Sequence, residues 1–255
     1  MKISLLMELA RRDFTEKYSG SALGALWSLL WPMVNIFIYT IVFGKIMSSR
    51  LEGVSIPYGY SVYLIAGIVP WTAFANTVSR SATVFTDRKN IISKVKIALP
   101  FFPLFIVISE SVTFVFTMLL FFCILLVTGN PITGKIFYLP LIYLAQQLFA
   151  YALGFFIAIF QVFIRDLKEV TNITLQVWFW FTPIVYVYNI LPDFAEKFVR
   201  YNPAYLFVKA YHDIFVFDAV PSPRHLIVLT ALGFSILFGA HLLFKKLERD
   251  VRDFL

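Results

Sequence analysis

Residues 101–127 read FFPLFIVISESVTFVFTMLLFFCILLV, and Glu110 is the only charged residue among them. A helix needs about 20 mostly apolar residues to cross a bilayer, so this stretch is long enough to span one. Five further apolar stretches flank it, and the six candidate spans cover residues 23–47, 58–78, 101–127, 137–164, 173–188 and 225–244. The fifth is shorter than the others. The sequence therefore predicts an all-α integral membrane protein with six transmembrane helices.

The composition agrees with this fold class. Mean hydropathy is +0.79, and 15% of the residues are charged, against about 25% in a typical soluble domain. The spans and their loops take up all 255 residues, which leaves no room for a soluble catalytic domain of about 100–150 residues. We expect a single transmembrane domain over 1–255.

The distribution of basic residues predicts the orientation in the membrane. Fifteen lysines and arginines lie before span one, between spans two and three, between spans four and five, and after span six, whereas seven lie in the other loops. Cytoplasmic loops are enriched in Lys and Arg, so both termini are expected in the cytoplasm. The net charge of +7 is then explained by the membrane topology, with anionic lipid head groups as neighbours of the basic loops. It does not indicate a nucleic-acid partner.

The first 20 residues predict an amphipathic helix. Helical spacing places Ile3, Leu6 and Phe14 on one face and charged side chains on the other. Such a helix lies in the inner membrane interface. A solvated amino-terminal helix is the alternative.

The loop between spans two and three predicts a docking helix. Residues 80–96 mix apolar and basic side chains at helical spacing, and a short helix here would present Phe85, Ile91 and Ile92 within a basic rim. An exposed apolar patch of this kind suits a soluble partner. The alternative is a loop whose charges only fix the topology.

The outer segment 189–222 is apolar but is interrupted by Pro192, Asn202-Pro203 and Pro221. Two half-helices, at about 193–201 and 204–217, fit it. Irregular backbone at membrane depth must be covered by protein or line a water-filled cavity, so a cavity or gate is expected on the outer side.

Sites for enzyme chemistry are lacking in the sequence. Gly129–Lys135 matches the first seven positions of a phosphate-binding loop, but Ile136 stands where the Mg²⁺-binding hydroxyl belongs. His212, His225 and His241 pair with no cysteine or carboxylate at metal-ligand spacing. We therefore expect no nucleotide site, no metal site and no catalytic residues.

Two features inside the spans are candidate sites. Glu110 is the only carboxylate clearly within a span, so it is either functional or held by a hydrogen bond to a neighbouring span or the interfacial segment. The aromatic run 178–188 would place Trp178 and Phe181 on one helix face. Sugar rings stack on such a face, although packing is the alternative for each ring.

Several segments together resemble one family. They are Leu23–Pro32 (LGALWSLLWP), Phe163–Val170 (FIRDLKEV), Trp180–Tyr186 (WFTPIVY), Tyr201–Pro203 (YNP) and Phe244–Phe254 (FKKLERDVRDF). With the amphipathic amino-terminal helix, they resemble the membrane subunit of type-2 ATP-binding-cassette exporters, and among these the permeases that export O-antigen and related lipid-linked polysaccharides.

The resemblance implies an assembly and its cargo. It implies a homodimer in the bacterial inner membrane, two copies of a separate ATPase chain, and an undecaprenyl-diphosphate-linked glycan as substrate. ATP and Mg²⁺ would bind the ATPase, so this chain would carry no cofactor and would not itself be an enzyme.

The resemblance also assigns roles to residues of this chain. Residues 84–95 resemble the coupling helix and the turn at 165–169 a second contact, so the candidate ATPase contacts are Phe85, Asp87, Arg88, Lys89, Ile91, Arg165 and Asp166. Spans one and five resemble channel walls, with candidate substrate contacts at Tyr39, Trp178, Phe181 and Tyr186. Residues 189–222 resemble the outer gate. The candidate diphosphate ligands are Arg11, Arg12 and Lys17. Mutating Arg88 and Lys89 to Glu is expected to uncouple transport without harming the fold.

Three other functions compete with this one. A type-2 exporter of a lipid or small drug would use the same fold. A proton-coupled secondary carrier would use Glu110, but carriers show internal repeats and several intramembrane charges. A membrane-embedded glycosyl- or phosphotransferase would need clustered acidic residues near the interface, which the sequence lacks.

Overall fold

The computed structural model describes residues 3–17, 24, 27–38, 40–41, 58–92, 98–188 and 191–254, and within these ranges the regular structure is helical. The helices are α1 (Ile3–Glu16), α2 (Trp27–Ile38), α3 (Gly59–Asp87), α4 (Lys89–Ile92), α5 (Phe101–Val127), α6 (Leu139–Gln161), α7 (Leu167–Trp180), α8 (Asp193–Arg200), α9 (Pro203–Phe215) and α10 (Pro223–Phe254). A short 3₁₀ helix, Gly134–Tyr138, leads into α6.

Four helical segments are long and apolar enough to cross a membrane: Gly59–Asp87, Phe101–Val127, Gly134–Gln161 and Pro223–Phe254. They correspond to predicted spans two, three, four and six. Helix α10 has 32 residues, so at 1.5 Å per residue it is about 48 Å long. It therefore extends past the predicted end of span six through the charged carboxyl-terminal segment.

The other two predicted spans match the described helices less fully. Helix α2 covers 12 residues of predicted span one, and residues 23, 25–26, 39 and 42–47 of that span lie outside the described part of the chain. Predicted span five, 173–188, differs in both bounds, because α7 begins at Leu167 and ends at Trp180. Its 14 residues give a length of about 21 Å, against the roughly 30 Å hydrocarbon core of a bilayer. Turns and bends follow from Phe181 to Val187.

Helix α3 is the centre of the bundle and packs against α5, α6, α7 and α9. It lies close to α6 at Gly154, where an added Cβ would overlap the Cβ of Ser81. Small residues at such positions let membrane helices approach each other closely. The α3–α6 contact therefore depends on the missing side chain of Gly154.

The amino- and carboxyl-terminal helices meet at one end of the bundle, here called the α1 end. A buried cluster there joins Ala10 of α1, Phe85 of α3, Phe105 of α5 and Val251 of α10. Helices α3, α6 and α10 thus end at the α1 end, whereas α5 starts there and runs in the opposite direction.

The two predicted half-helices of the outer segment correspond to α8 and α9, which lie in different surroundings. Asn202 caps α9, because its side-chain oxygen accepts a hydrogen bond from the Ala204 N–H at 2.9 Å. Most of α9 is buried against α3. Helix α8 is amphipathic and exposes the rings of Phe194 and Phe198.

Candidate functional site

Charged side chains from α1, α3 and α5 converge at the α1 end. We call Asp13, Glu16, Lys17, Arg80, Arg88 and Glu110 the ionic cluster. The apolar face of α1 packs on α5 and carries Asp13 in register with Leu6 and Ala10, so the carboxylate points into the bundle. The cluster therefore forms because an acidic residue lies on the buried face of an amphipathic helix.

Arg80 connects all three helices of the cluster. One guanidinium nitrogen donates to Asp13 Oδ2 at 2.6 Å, and the other donates to Glu110 Oε1. Glu110 also accepts hydrogen bonds from Lys17 Nζ at 3.1 Å and from Asn76 Nδ2 at 3.4 Å. Of the two interpretations of Glu110, the structure favours a carboxylate held by a neighbouring span and by the interfacial segment.

Arg88 makes the second bridge, from the end of α3 back to α1. Its Nη2 donates to Asp13 Oδ1 at 2.8 Å and its Nη1 donates to Glu16 Oε2 at 2.5 Å. Its guanidinium carbon lies 5.8 Å from the centre of the Phe105 ring. Asp13 is thus bound by two arginines, one on each oxygen.

Burial makes the cluster energetically important. Asp13 is 3% exposed and Glu110 is 1% exposed. Removing one partner of a buried ion pair costs roughly 3–5 kcal/mol, because it leaves an uncompensated charge. Glu16 is more exposed, and hydrogen bonds from Arg88 and then Arg12 hold the pKa of its carboxyl below the usual value. The cluster fixes α1 to the last part of α3 and to the first half of α5.

The predicted coupling helix differs from the structure. Phe85 is 0% exposed and packs edge-on against Phe155 inside the α1-end cluster, so the expectation that it forms a docking patch is wrong. The reason is that α3 continues to Asp87, and Phe85 therefore lies on its buried face. The single turn α4 comes directly after Arg88, and residues 93–95 lie outside the described part of the chain.

The other candidate ATPase contacts lie at the surface, apart from Arg88. Asp87 and Lys89 are exposed, and Ile91 is partly buried. Arg165 and Asp166 are exposed in the turn that leads into α7. Arg88 is engaged with two carboxylates, so its reversal to Glu would set like charges together and would not leave the fold intact.

The candidate diphosphate ligands have different environments. Arg12 donates to Glu16 at 2.5 Å, and Lys17 pairs with Glu110. Arg11 is exposed and forms no ion pair with the described residues. Two of the three predicted cations are therefore already paired with carboxylates.

The aromatic candidates do not form a single face. Trp178 turns toward the core, where it packs edge-on against Phe74 and donates from Nε1 to Asn202 Oδ1 at 2.7 Å. Phe181 follows the end of α7 and is 66% exposed. The Tyr186 hydroxyl donates to the Trp180 carbonyl at 3.0 Å. Tyr39 lies outside the described residues.

Sequence reasoning missed Asp13, Glu16, Arg80 and Tyr63 as site residues. The signal for Asp13 was available, because it lies three residues after Ala10 on the apolar helix face, where a carboxylate needs a partner. No local signal marks Tyr63. Its ring stacks on His212 at 3.8 Å and its hydroxyl donates to the carbonyls of Pro183 and Tyr186, which fixes the bend after α7.

Comparison with known proteins identifies the family. The family model "ABC-2 type transporter" matches residues 4–216. Two relatives are named O-antigen export system permease protein RfbA, one from Myxococcus xanthus and one from Klebsiella pneumoniae, and each is 26% identical to this chain. Each alignment covers 98% of this chain, together with 94% of the Myxococcus protein and 95% of the Klebsiella protein. The polysialic acid transport protein KpsM of Escherichia coli is 30% identical over 70 residues, which is 28% of this chain and 26% of that protein. The chain belongs to the ABC-2 type transporter family.

Proposed function

We propose that this chain is the membrane-spanning permease of an ATP-driven exporter, and that it moves lipid-linked polysaccharide of the O-antigen type out of the cytoplasm. The observation that carries the proposal is the similarity over 98% of the chain to permeases named for O-antigen export. The helical architecture supports it, because four segments of membrane-spanning length account for much of the described chain.

The working unit in this proposal is a homodimer with two copies of a cytoplasmic ATPase, in the inner membrane of a bacterium. ATP and Mg²⁺ bind the ATPase and not this chain. The α1 end faces the cytoplasm, because the basic loops lie there. Helices α2 and α7 belong to the first and fifth of six crossings, and both expose apolar side chains, such as Phe37 and Val177, on the isolated chain. These faces are available to a second copy.

The mechanism follows from this placement. Closure of the ATPase pair pushes on α4 and on the Arg165–Asp166 turn, both at the α1 end. Spans one and five tilt and open a channel, and the polymer threads through while its diphosphate anchor stays at the interface. Of the three candidate ligands, Arg11 would bind the diphosphate without breaking an ion pair of the described residues. Arg12 and Lys17 would exchange a carboxylate for a phosphate oxygen.

Aromatic side chains line the proposed channel. Phe181 and Trp180 are exposed at the end of α7, and stacking on sugar rings tolerates a moving chain because it does not depend on register. Trp178 holds the outer segment through Asn202 and is placed to support this surface. Tyr39 and Tyr186 are proposed as further contacts.

A carrier driven by protons through Glu110 is disfavoured by the same geometry. The carboxylate is paired with Arg80 and Lys17, and breaking these buried pairs during each cycle would be costly. Export of a lipid or small drug stays open as the alternative within the family.

Co-purification from a bacterial membrane tests the proposal. The tagged chain, extracted in mild detergent, is expected to retain an ATPase subunit in a 2:2 complex with ATPase activity. In a second experiment, deletion of the gene for this chain is expected to remove surface polysaccharide. An oligomer without an ATPase partner would refute the exporter assignment. A stable ATPase complex together with unchanged surface polysaccharide would favour a lipid or drug as cargo.

A charge reversal at the exposed residue Lys89 tests whether the predicted coupling helix, residues 84–95, contacts the ATPase. Lys89→Glu is expected to lower export while the chain still folds, because this side chain lies outside the ionic cluster. Arg224→Glu is the matched control, because Arg224 is also an exposed basic residue and lies at the start of α10, outside the outer segment 189–222. Equal export in the two variants would contradict the coupling assignment.

A further inference from the structure

Arg88 occupies the junction between two helices. Its backbone leaves the helical region, with φ of −106° and ψ of 18°, so α3 ends there. Its carbonyl accepts hydrogen bonds from the N–H groups of Ile91 and Ile92 at 2.9 and 3.0 Å, which form the turn of α4. The Arg88 backbone therefore forms the turn that begins α4, while the Arg88 side chain bridges Asp13 and Glu16.

Helix α4 is separated from α3 by the non-helical backbone of Arg88. Its described part is a single turn of four residues. A displacement of α4 thus reaches the bundle by two routes, through the backbone of α3 and through the Arg88 guanidinium to α1. The second route is short and consists of charge-assisted hydrogen bonds, which are among the stronger non-covalent contacts.

The route continues beyond α1. Asp13 accepts from Arg88 on Oδ1 and from Arg80 on Oδ2, and Arg80 donates in turn to Glu110 of α5. Lys17, the residue after α1, also contacts Glu110. One connected set of ion pairs thus links the junction of α3 and α4 to α1 and to the first half of α5.

We propose that the ionic cluster is the element that transmits movement of α4 to α1 and α5, with Asp13 and Arg88 as positioning residues. This inference rests on the proposed function, since it needs an ATPase that displaces α4. In each export cycle, α1 moves with α4 because Asp13 and Glu16 hold Arg88. Helix α1 carries Arg11 and Arg12, so the movement of the ATPase reaches the helix at which the lipid diphosphate is proposed to bind.

The experiment measures export per ATP hydrolysed, using the full complex of this chain with its ATPase. Asp13→Asn keeps the side-chain shape and removes the charge. We expect export per ATP to fall about tenfold, within the roughly 5- to 150-fold range of coupling between sites, while ATP hydrolysis continues. Arg88→Gln should give the same loss, and Arg88→Lys, which keeps the charge but not the two-armed geometry, should lose less.

A double variant and a control make the test specific. Asp13→Asn with Arg88→Gln should lose less than the sum of the two single changes, because residues that share a contact are not additive. Glu248→Gln is the control, since Glu248 pairs with Arg252 on the surface of α10 at 3.1 Å and lies outside the ionic cluster. Its export per ATP should equal that of the wild type.

Hydrogen exchange on the wild-type complex gives a second measurement that needs no variant. Addition of a non-hydrolysable ATP analogue is expected to change amide exchange in residues 3–16 and 88–92 together. A change confined to residues 88–92 would overturn the proposal, as would an unchanged ratio of export to ATP hydrolysis in Asp13→Asn. A wild-type complex without ATP-dependent export would overturn the proposed function as well.

Discussion

Replacement of Arg80 by Met is expected to destabilise the protein strongly. Arg80 is the shared partner of Asp13 and Glu110, which are 3% and 1% exposed. Methionine has a stem of similar length, so the change removes charge and hydrogen bonds with little loss of packing. Both carboxylates then stay buried with one cation fewer.

The magnitude depends on the ion pairs that remain. Loss of one partner of a buried pair costs about 3–5 kcal/mol. Arg88 still holds Asp13 and Lys17 still holds Glu110, so we expect the lower limit, about 3 kcal/mol. For a protein of this size this corresponds to a fall in Tm of roughly 6–12 °C.

The assay is thermal unfolding of the purified chain in detergent, followed by fluorescence. Arg200→Gln is the matched control, because its partner Glu196 lies four residues away on an exposed helix face; exposed pairs of this kind contribute little. Adding Glu110→Gln to Arg80→Met should recover part of the loss, since it removes a buried carboxylate that has lost one of its two cations. If Arg80→Met lowered Tm no more than the control, the ionic cluster would not stabilise the fold as described.

Three further predictions concern packing and pH. Gly154→Leu should lower Tm by several degrees, because its Cβ would overlap that of Ser81 and overpacking costs about 1–3 kcal/mol; Gly239→Leu, which meets no atom within 4 Å, should not. Phe85→Ala should cost about 3–5 kcal/mol of stability, seen as lower yield and Tm, whereas a selective loss of ATPase binding by a normally stable chain would restore the docking-patch interpretation. The pKa of Glu16 is lowered in the folded chain from 4.5, so its ion pairs stabilise the protein above about pH 4.5 and this contribution is lost as pH falls through the lower folded value. The Tm difference between wild type and Glu16→Gln should therefore shrink on acidification, and a constant difference would contradict the assignment.

Much of the fold was accessible from the sequence, because long apolar stretches have few alternatives in a bilayer. The positions of α5, α6 and α10 follow from runs of apolar residues, and α8 and α9 follow from the prolines and the Asn202 cap that interrupt the outer segment. The amphipathic α1 follows from its spacing. These elements are determined by local interactions with solvent and lipid, which sequence patterns record.

The candidate site was less accessible, because its contacts join residues distant in the chain. Phe85 looked exposed in a basic loop, yet α3 runs through it and buries it. Trp178 and Phe181 have helical spacing, but the helix ends at Trp180 and the two rings separate. Glu110 was recognised as requiring a partner, although its partners could not be identified.

The sequence by itself determined that this is a helical membrane protein of the ABC-2 type transporter family, since apolar run length, charge placement and family motifs are properties of the linear chain. Tertiary structure alone decided that Asp13, Arg80, Arg88 and Glu110 meet. The physical reason is that these pairings span 30 to 75 residues and depend on how α1, α3 and α5 pack. The local sequence pattern indicates which charged residue is buried, whereas its ion-pair partner is determined only by how the helices pack.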